Sequence, residues 1–181
     1  MSRYAGRDFE GQKYIELNYS GESFKFTRFI KCEFRNCNFS GVILDGTFFD
    51  NCIFPGCKLS NLDFEKSEFR KCNFEKSILV NCVFQKKVGN KSKKCVLTSN
   101  NFDGCDLTGS IFNLCNLSGK RFDKTNFTGC IFEKTNLAHA DFTNCKIEGA
   151  NFNGAHVEDT VLDIDGFLNF GKAKGFVLNV D

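Results

Sequence analysis

A five-residue self-similarity constrains this chain more than any other feature. Cys32-Glu33-Phe34-Arg35-Asn36 is followed at once by Cys37-Asn38-Phe39-Ser40-Gly41, and the same phrase keeps returning as far as Phe84. With Phe34 as the centre, an apolar or aromatic residue falls on every fifth position from Phe9 to Phe84, sixteen centres in all. After an interruption the frame resumes for fourteen more, from Leu97 to Leu162. Such a period fits neither the helical repeat of about 3.6 nor the alternation of a plain strand, so the chain must turn every five residues.

Side chains two apart on extended backbone share a face, which makes the residue two before each centre the second inward candidate. All eleven cysteines sit there, among them Cys32, Cys52 and Cys72. Thr27, Val42, Thr47, Leu62, Ser67, Ala140, Ala150 and Ala155 share the position. Gly41, Gly46, Asn51, Gly56, Asn61 and Lys66 follow the centres as corner residues, and Gly and Asn are what tight corners prefer.

On these residues the chain resembles the pentapeptide-repeat family, from about residue 7 to 164. The resemblance implies an all-β, right-handed quadrilateral parallel β-helix with four pentapeptides per coil. Thirty repeats would make seven to eight coils, a rod on the order of 35 Å long at one strand spacing per coil. One face would stack Phe9, Phe29, Phe49 and Phe69, and the next Tyr14, Phe34, Phe54 and Phe74. If eight residues are extruded between Phe84 and Leu97, Phe102, Phe122 and Phe142 continue that second column. The domain layout is then residues 1–164 as the solenoid, interrupted by a loop at 85–94, with 165–181 as a C-terminal cap and dimerisation segment.

Twenty-three Phe and no Trp suit a square interior that accepts stacked flat rings. An odd number of cysteines, at spacings unlike paired zinc ligands and with no His among them, argues for reduced, unmetallated thiols that pack as small hydrophobes. The chain starts with no apolar run, so neither a signal peptide nor a membrane span is expected, and a cytoplasmic location follows. Residues 1–31 keep the aromatic frame but place Arg7, Gln12, Leu17 and Glu22 inward, which reads as a polar N-terminal cap.

The loop Gln85 to Lys94 is the one feature the repeat does not require. Lys86, Lys87, Lys91, Lys93 and Lys94 lie in it without an acid. Before Leu97 the chain carries 17 basic and 11 acidic residues, and from there on 7 and 11, so the positive excess is nearly all loop. A solvated excursion would explain the composition, while a binding element for phosphates or acidic protein surfaces would explain the clustering. Ile43, Val83, Ile111 and Ile131 precede centres on one face, with Phe48, Ile53, Ile78 and Val96 on others, which leaves a contact stripe open against ordinary surface scatter.

After Leu162 the period stops. Asp165 can N-cap a short helix carrying Phe167, Leu168 and Phe170, which Gly175 can end before a terminal strand with Phe176 and Val177. This segment resembles the close of the Qnr quinolone-resistance proteins and their gyrase-inhibiting relatives, and implies a homodimer joined through that end. It also implies a non-enzymatic protein that engages DNA gyrase or topoisomerase IV as a rod-shaped DNA mimic. A mimic wants a continuous acidic face, yet Glu65, Glu75 and Glu133 each neighbour a lysine, so a scaffold for another protein partner stays open. His139 and His156 fall on outward positions, and no phosphate loop, metal motif or cofactor fingerprint occurs; no direct nucleic-acid contact is expected.

Overall fold

The computed structural model describes residues 3–88 and 91–179. Main-chain pairing is parallel and offset by twenty: Phe9 lies beside Phe29, Phe29 beside Phe49 and Phe49 beside Phe69. Four pentapeptides therefore complete one turn of a parallel β-solenoid. Across the interruption Val83 pairs with Ile111 and Asn73 with Asn101, an offset of 28, so eight residues are inserted. Strands are two or three residues long, such as Arg28–Ile30 and Glu68–Arg70, because the chain bends again before a longer ladder can form.

The corners explain the spacing chemically. Gly41, Gly46, Asn51, Gly56 and Asn61 all take positive φ, the left-handed conformation that Gly and Asn tolerate best. Lys66 does not, a departure from the expected corner. Gly46 N–H instead reaches the Lys66 carbonyl at 2.8 Å.

Inside, the rings stack in columns. Phe29 and Phe49 lie 5.1 Å apart and 9° from parallel, Phe34 and Phe54 5.1 Å and 8° apart, and Phe74 and Phe102 5.4 Å and 6° across the insertion. Adjacent columns meet edge to face, as with Phe29 and Phe34 at 80°, the arrangement that aligns positive ring edges with negative faces. Phe34, Phe54, Phe74, Phe102, Phe122 and Phe142 are buried, as are Cys32, Cys52 and Cys72. The cysteines are free thiols. They also do more than fill space: all but Cys95 donate toward the carbonyl of a centre on the turn below, Cys57 Sγ to Phe34 at 3.1 Å and Cys82 Sγ to Leu59 at 2.9 Å. Thr47 and Thr125 hydroxyls make the same bond, to Phe24 at 2.7 Å and Phe102 at 2.9 Å. The inward position thus selects small donors.

The solenoid has about six turns, fewer than the seven to eight that counting centres suggests. Terminal repeats keep the frame without closing a core: Phe9 and Tyr14 are only partly buried, and Val157 is 41% exposed. Tyr4, one repeat before the first centre, plugs the N-terminal end with its ring 5.0 Å from Phe24 and 5.4 Å from Tyr19.

At the other end an α-helix spans Ile164–Ala173. Its N-cap is Asp163, not Asp165: extended backbone at 163 lets the carboxylate accept Gly166 N–H at 2.8 Å, while Asp165 sits in the first turn. Gly175, at φ +84°, donates to Lys172 and Phe176 N–H to Gly171, a Schellman close. Residues 176–179 form no strand, contrary to expectation, since Phe176 N–H is taken by the Gly171 carbonyl and the chain turns back against the helix.

Candidate functional site

The inserted segment is a β-hairpin rather than a loop. Strands Lys86–Val88 and Lys91–Lys93 pair antiparallel, Lys86 opposite Lys93 and Lys87 opposite Ser92. The Gly89-Asn90 connection lies outside the described residues. Two residues between short runs is the commonest hairpin spacing, a signal the lysine count obscures.

The hairpin is tied to the turn below at the irregular Lys66 corner. Lys87 N–H donates to the Glu65 carbonyl at 3.3 Å, and its Nζ reaches Glu65 Oε2 at 2.9 Å. Lys86 Nζ meets Glu68 Oε2 at 2.8 Å, and Gln85 Nε2 bridges Asp63 and Glu65. Lys86 and Lys87 therefore anchor the hairpin, whereas Lys91, Lys93 and Lys94 are exposed. The five expected binding lysines divide into two that position and three that project.

Acids elsewhere on the rod are similarly engaged. Arg70 binds Asp50 through both Nε and a terminal nitrogen, at 3.0 and 2.6 Å, and this bond holds the Asp50 carboxyl below its usual range. Arg35 does the same to Glu33. Phe48, expected in an outward stripe, is flanked by the Arg28 and Arg70 guanidiniums, each 5.5 Å from its ring. Ile111 pairs with Val83 and Ile131 in a true column, with Ile131 38% exposed.

The C-terminal segment divides too. Phe170 covers the last turn, its ring 5.6 Å from Phe152, and Leu168 is half-buried. Phe167, Phe176 and Val177 are exposed, Val177 at 95%, and together with Leu168, Phe170 and Leu178 they line a hollow of about 320 Å³.

Asn100 and Lys120 depart from the repeat's own pattern. Both occupy the inward position, where the pattern from Thr27 onward otherwise places small or apolar side chains. Asn100 is buried, accepting Cys72 N–H at 2.8 Å and donating to the Phe69 carbonyl at 3.1 Å. Lys120 Nζ takes the Asn100 carbonyl, and burial lowers the pKa of its ammonium. An amide and an ammonium two before a centre are visible in the sequence once that position is known to be inward.

Two family models cover most of the chain. One, described as pentapeptide repeat region, matches residues 95–163; the other, pentapeptide repeats (8 copies), matches 23–56, 32–70 and 56–85. The chain belongs to the pentapeptide-repeat family. No curated protein matches it by sequence. Among solved structures, a trypsin-treated form of QnrB1, described as a plasmid-mediated fluoroquinolone resistance protein, is similar at TM-score 0.68 and 19% identity, covering 98% of this chain and 94% of that one. Full-length QnrB1 gives a TM-score of 0.50 at 19% identity, over 94% and 91% of the two chains. At these identities the likeness is one of fold. For this pentapeptide-repeat protein it accounts for the rod, while the hairpin lysines and the helical cap are read from the chain's own geometry.

Proposed function

We propose that this protein is a non-enzymatic binding protein that engages a type II topoisomerase, DNA gyrase or topoisomerase IV, and protects it from quinolones or toxins. The observation that carries the reading is the shared fold with QnrB1 over 98% of the chain, together with an anchored hairpin that holds Lys91, Lys93 and Lys94 in solvent. The rod supplies a straight surface comparable to a short duplex. Lysines cannot imitate phosphate, so the hairpin would grip an acidic part of the enzyme, with a contribution that salt screens. The exposed Phe167, Phe176 and Val177 would join two copies end to end, which hides both terminal edges.

The paired acids Asp50 and Glu33 favour a second reading, in which the rod is a scaffold for a different protein, because carboxylates held by arginine are poor phosphate mimics. Gyrase supercoiling and quinolone-induced cleavage, measured with the intact protein and with residues 86–93 deleted, separate the two. Protection that falls on deletion supports the topoisomerase reading. No binding and no effect on either activity leaves the scaffold.

A further inference from the structure

The hairpin insertion opens the solenoid on one side. The first-face sheet runs through strands Asp8–Glu10, Arg28–Ile30, Phe48–Asp50 and Glu68–Arg70 and stops; the next strand on that face, Cys95–Val96, pairs only with Cys115–Asn116 above it. Between Phe69 and Leu97 the described residues form no main-chain ladder on this face, and Lys71 N–H turns instead to Ser99 Oγ at 3.2 Å. The gap is a cleft of about 360 Å³. Its floor is made of four repeat centres, Phe64, Phe69, Phe84 and Leu97, and Arg70, Lys71, Lys86 and Lys94 stand around it. Phe69 is 6% exposed, against 1% for Phe29 and Phe49 below it in the same column.

The rim is positive after its ion pairs are counted. Asp50 holds Arg70 and Glu68 holds Lys86. Lys71 and Lys94 are exposed, and among the described residues neither lies within ion-pair distance of an acid. An apolar floor rimmed by two surplus ammonium groups is complementary to a ligand with a flat apolar body and one anionic group. The volume lies at the small end of ligand sites, room for about two fused aromatic rings.

We propose that the cleft between Phe69 and Leu97 is a binding site for a small amphipathic anion, its apolar body on Phe64, Phe69, Phe84 and Leu97 and its acid group between Lys71 and Lys94. Naphthalene-2-sulfonate is a suitable probe, followed by amide chemical shifts of the full-length protein, with neutral naphthalene-2-methanol as its uncharged counterpart. The site predicts saturable shifts at Phe69, Arg70, Lys71, Cys95 and Thr98, weaker binding of the alcohol, and Kd raised about tenfold in the Lys71→Glu/Lys94→Glu variant. Both lysines lie outside the core, so that variant keeps the parent circular dichroism. Shifts confined to residues 167–178, equal binding by the variant, or no shift at millimolar probe would overturn the proposal.

Discussion

Asn100 fills the inward position above Phe69 with a carboxamide that donates to the Phe69 carbonyl at 3.1 Å and accepts Cys72 N–H at 2.8 Å, the pair of bonds that Ser77 and Ser110 make with hydroxyls elsewhere. Truncation would leave two buried main-chain groups unpaired, each costing about 1–3 kcal/mol. Asn100→Ala should therefore lower stability by about 3 kcal/mol in urea unfolding. Asn100→Asp, which keeps the acceptor and loses the donor, should also be destabilised. A loss below about 1 kcal/mol for the alanine variant would show that water serves those groups equally well.

The hairpin adds eight residues to an otherwise regular frame, so removing 86–93 restores a five-residue spacing from Phe84 to Leu97. The shortened chain should keep its β-rich circular dichroism and cooperative melting. Loss of folding would mean that the Lys87–Glu65 and Lys86–Glu68 anchors hold the turn below, and not merely the hairpin.

Phe26 is 72% exposed, takes φ 55°, and lays its ring over Gly46. A Cβ on Gly46 would stand 2.6 Å from Phe26 Cδ1 and would also meet a φ of +70°. Gly46→Ala should cost about 2 kcal/mol, from steric overlap plus left-handed strain. In a Phe26→Ala background only the strain remains, about 1 kcal/mol, and the difference is the coupling of the pair.

Burial raises the thiol pKa of Cys82, Cys105 and Cys130 from 9.0 to about 12. Between those values the folded chain holds protons that the unfolded chain has lost, so stability falls as pH rises. Each thiol contributes a slope of up to about 1.4 kcal/mol per pH unit in that window. Thermal unfolding should show no thiol-dependent loss at pH 7–8 and a steep decline from pH 9 upward, shallower in Cys105→Ser. An unchanged alkaline slope in that variant would contradict the assignment.

The helical end carries more apolar surface than one coil needs. Sedimentation at micromolar concentration should give a dimer, and Phe167→Glu with Val177→Glu should give a monomer of unchanged melting temperature. A monomeric parent protein would remove the end-to-end assembly.

The period alone made the turn of twenty residues, the ring columns and the inward cysteines legible, because each repeats and so is specified many times over. Features specified once were harder to read. The cap falls on Asp163 rather than Asp165 because only the earlier residue has its carboxylate over Gly166 N–H. Lys86 and Lys87 are indistinguishable from Lys91 by composition, and their anchoring depends on Glu65 and Glu68, some twenty residues earlier in sequence and one turn below. Tyr4 is specified by the same frame, which extends back by one more repeat.

The turn holding residues 95–102 gives up a main-chain bond to a side chain on both sides, to Ser99 below and to Lys120 above. Pulled along its axis, a rod of this kind has no reason to unzip from its ends alone. The load would concentrate where that turn is clasped by a hydroxyl and an ammonium. These groups would let go first and the rungs that cross the same level on the other faces, such as Val83 to Ile111, would follow, parting the rod into a lower and an upper half, each still wound.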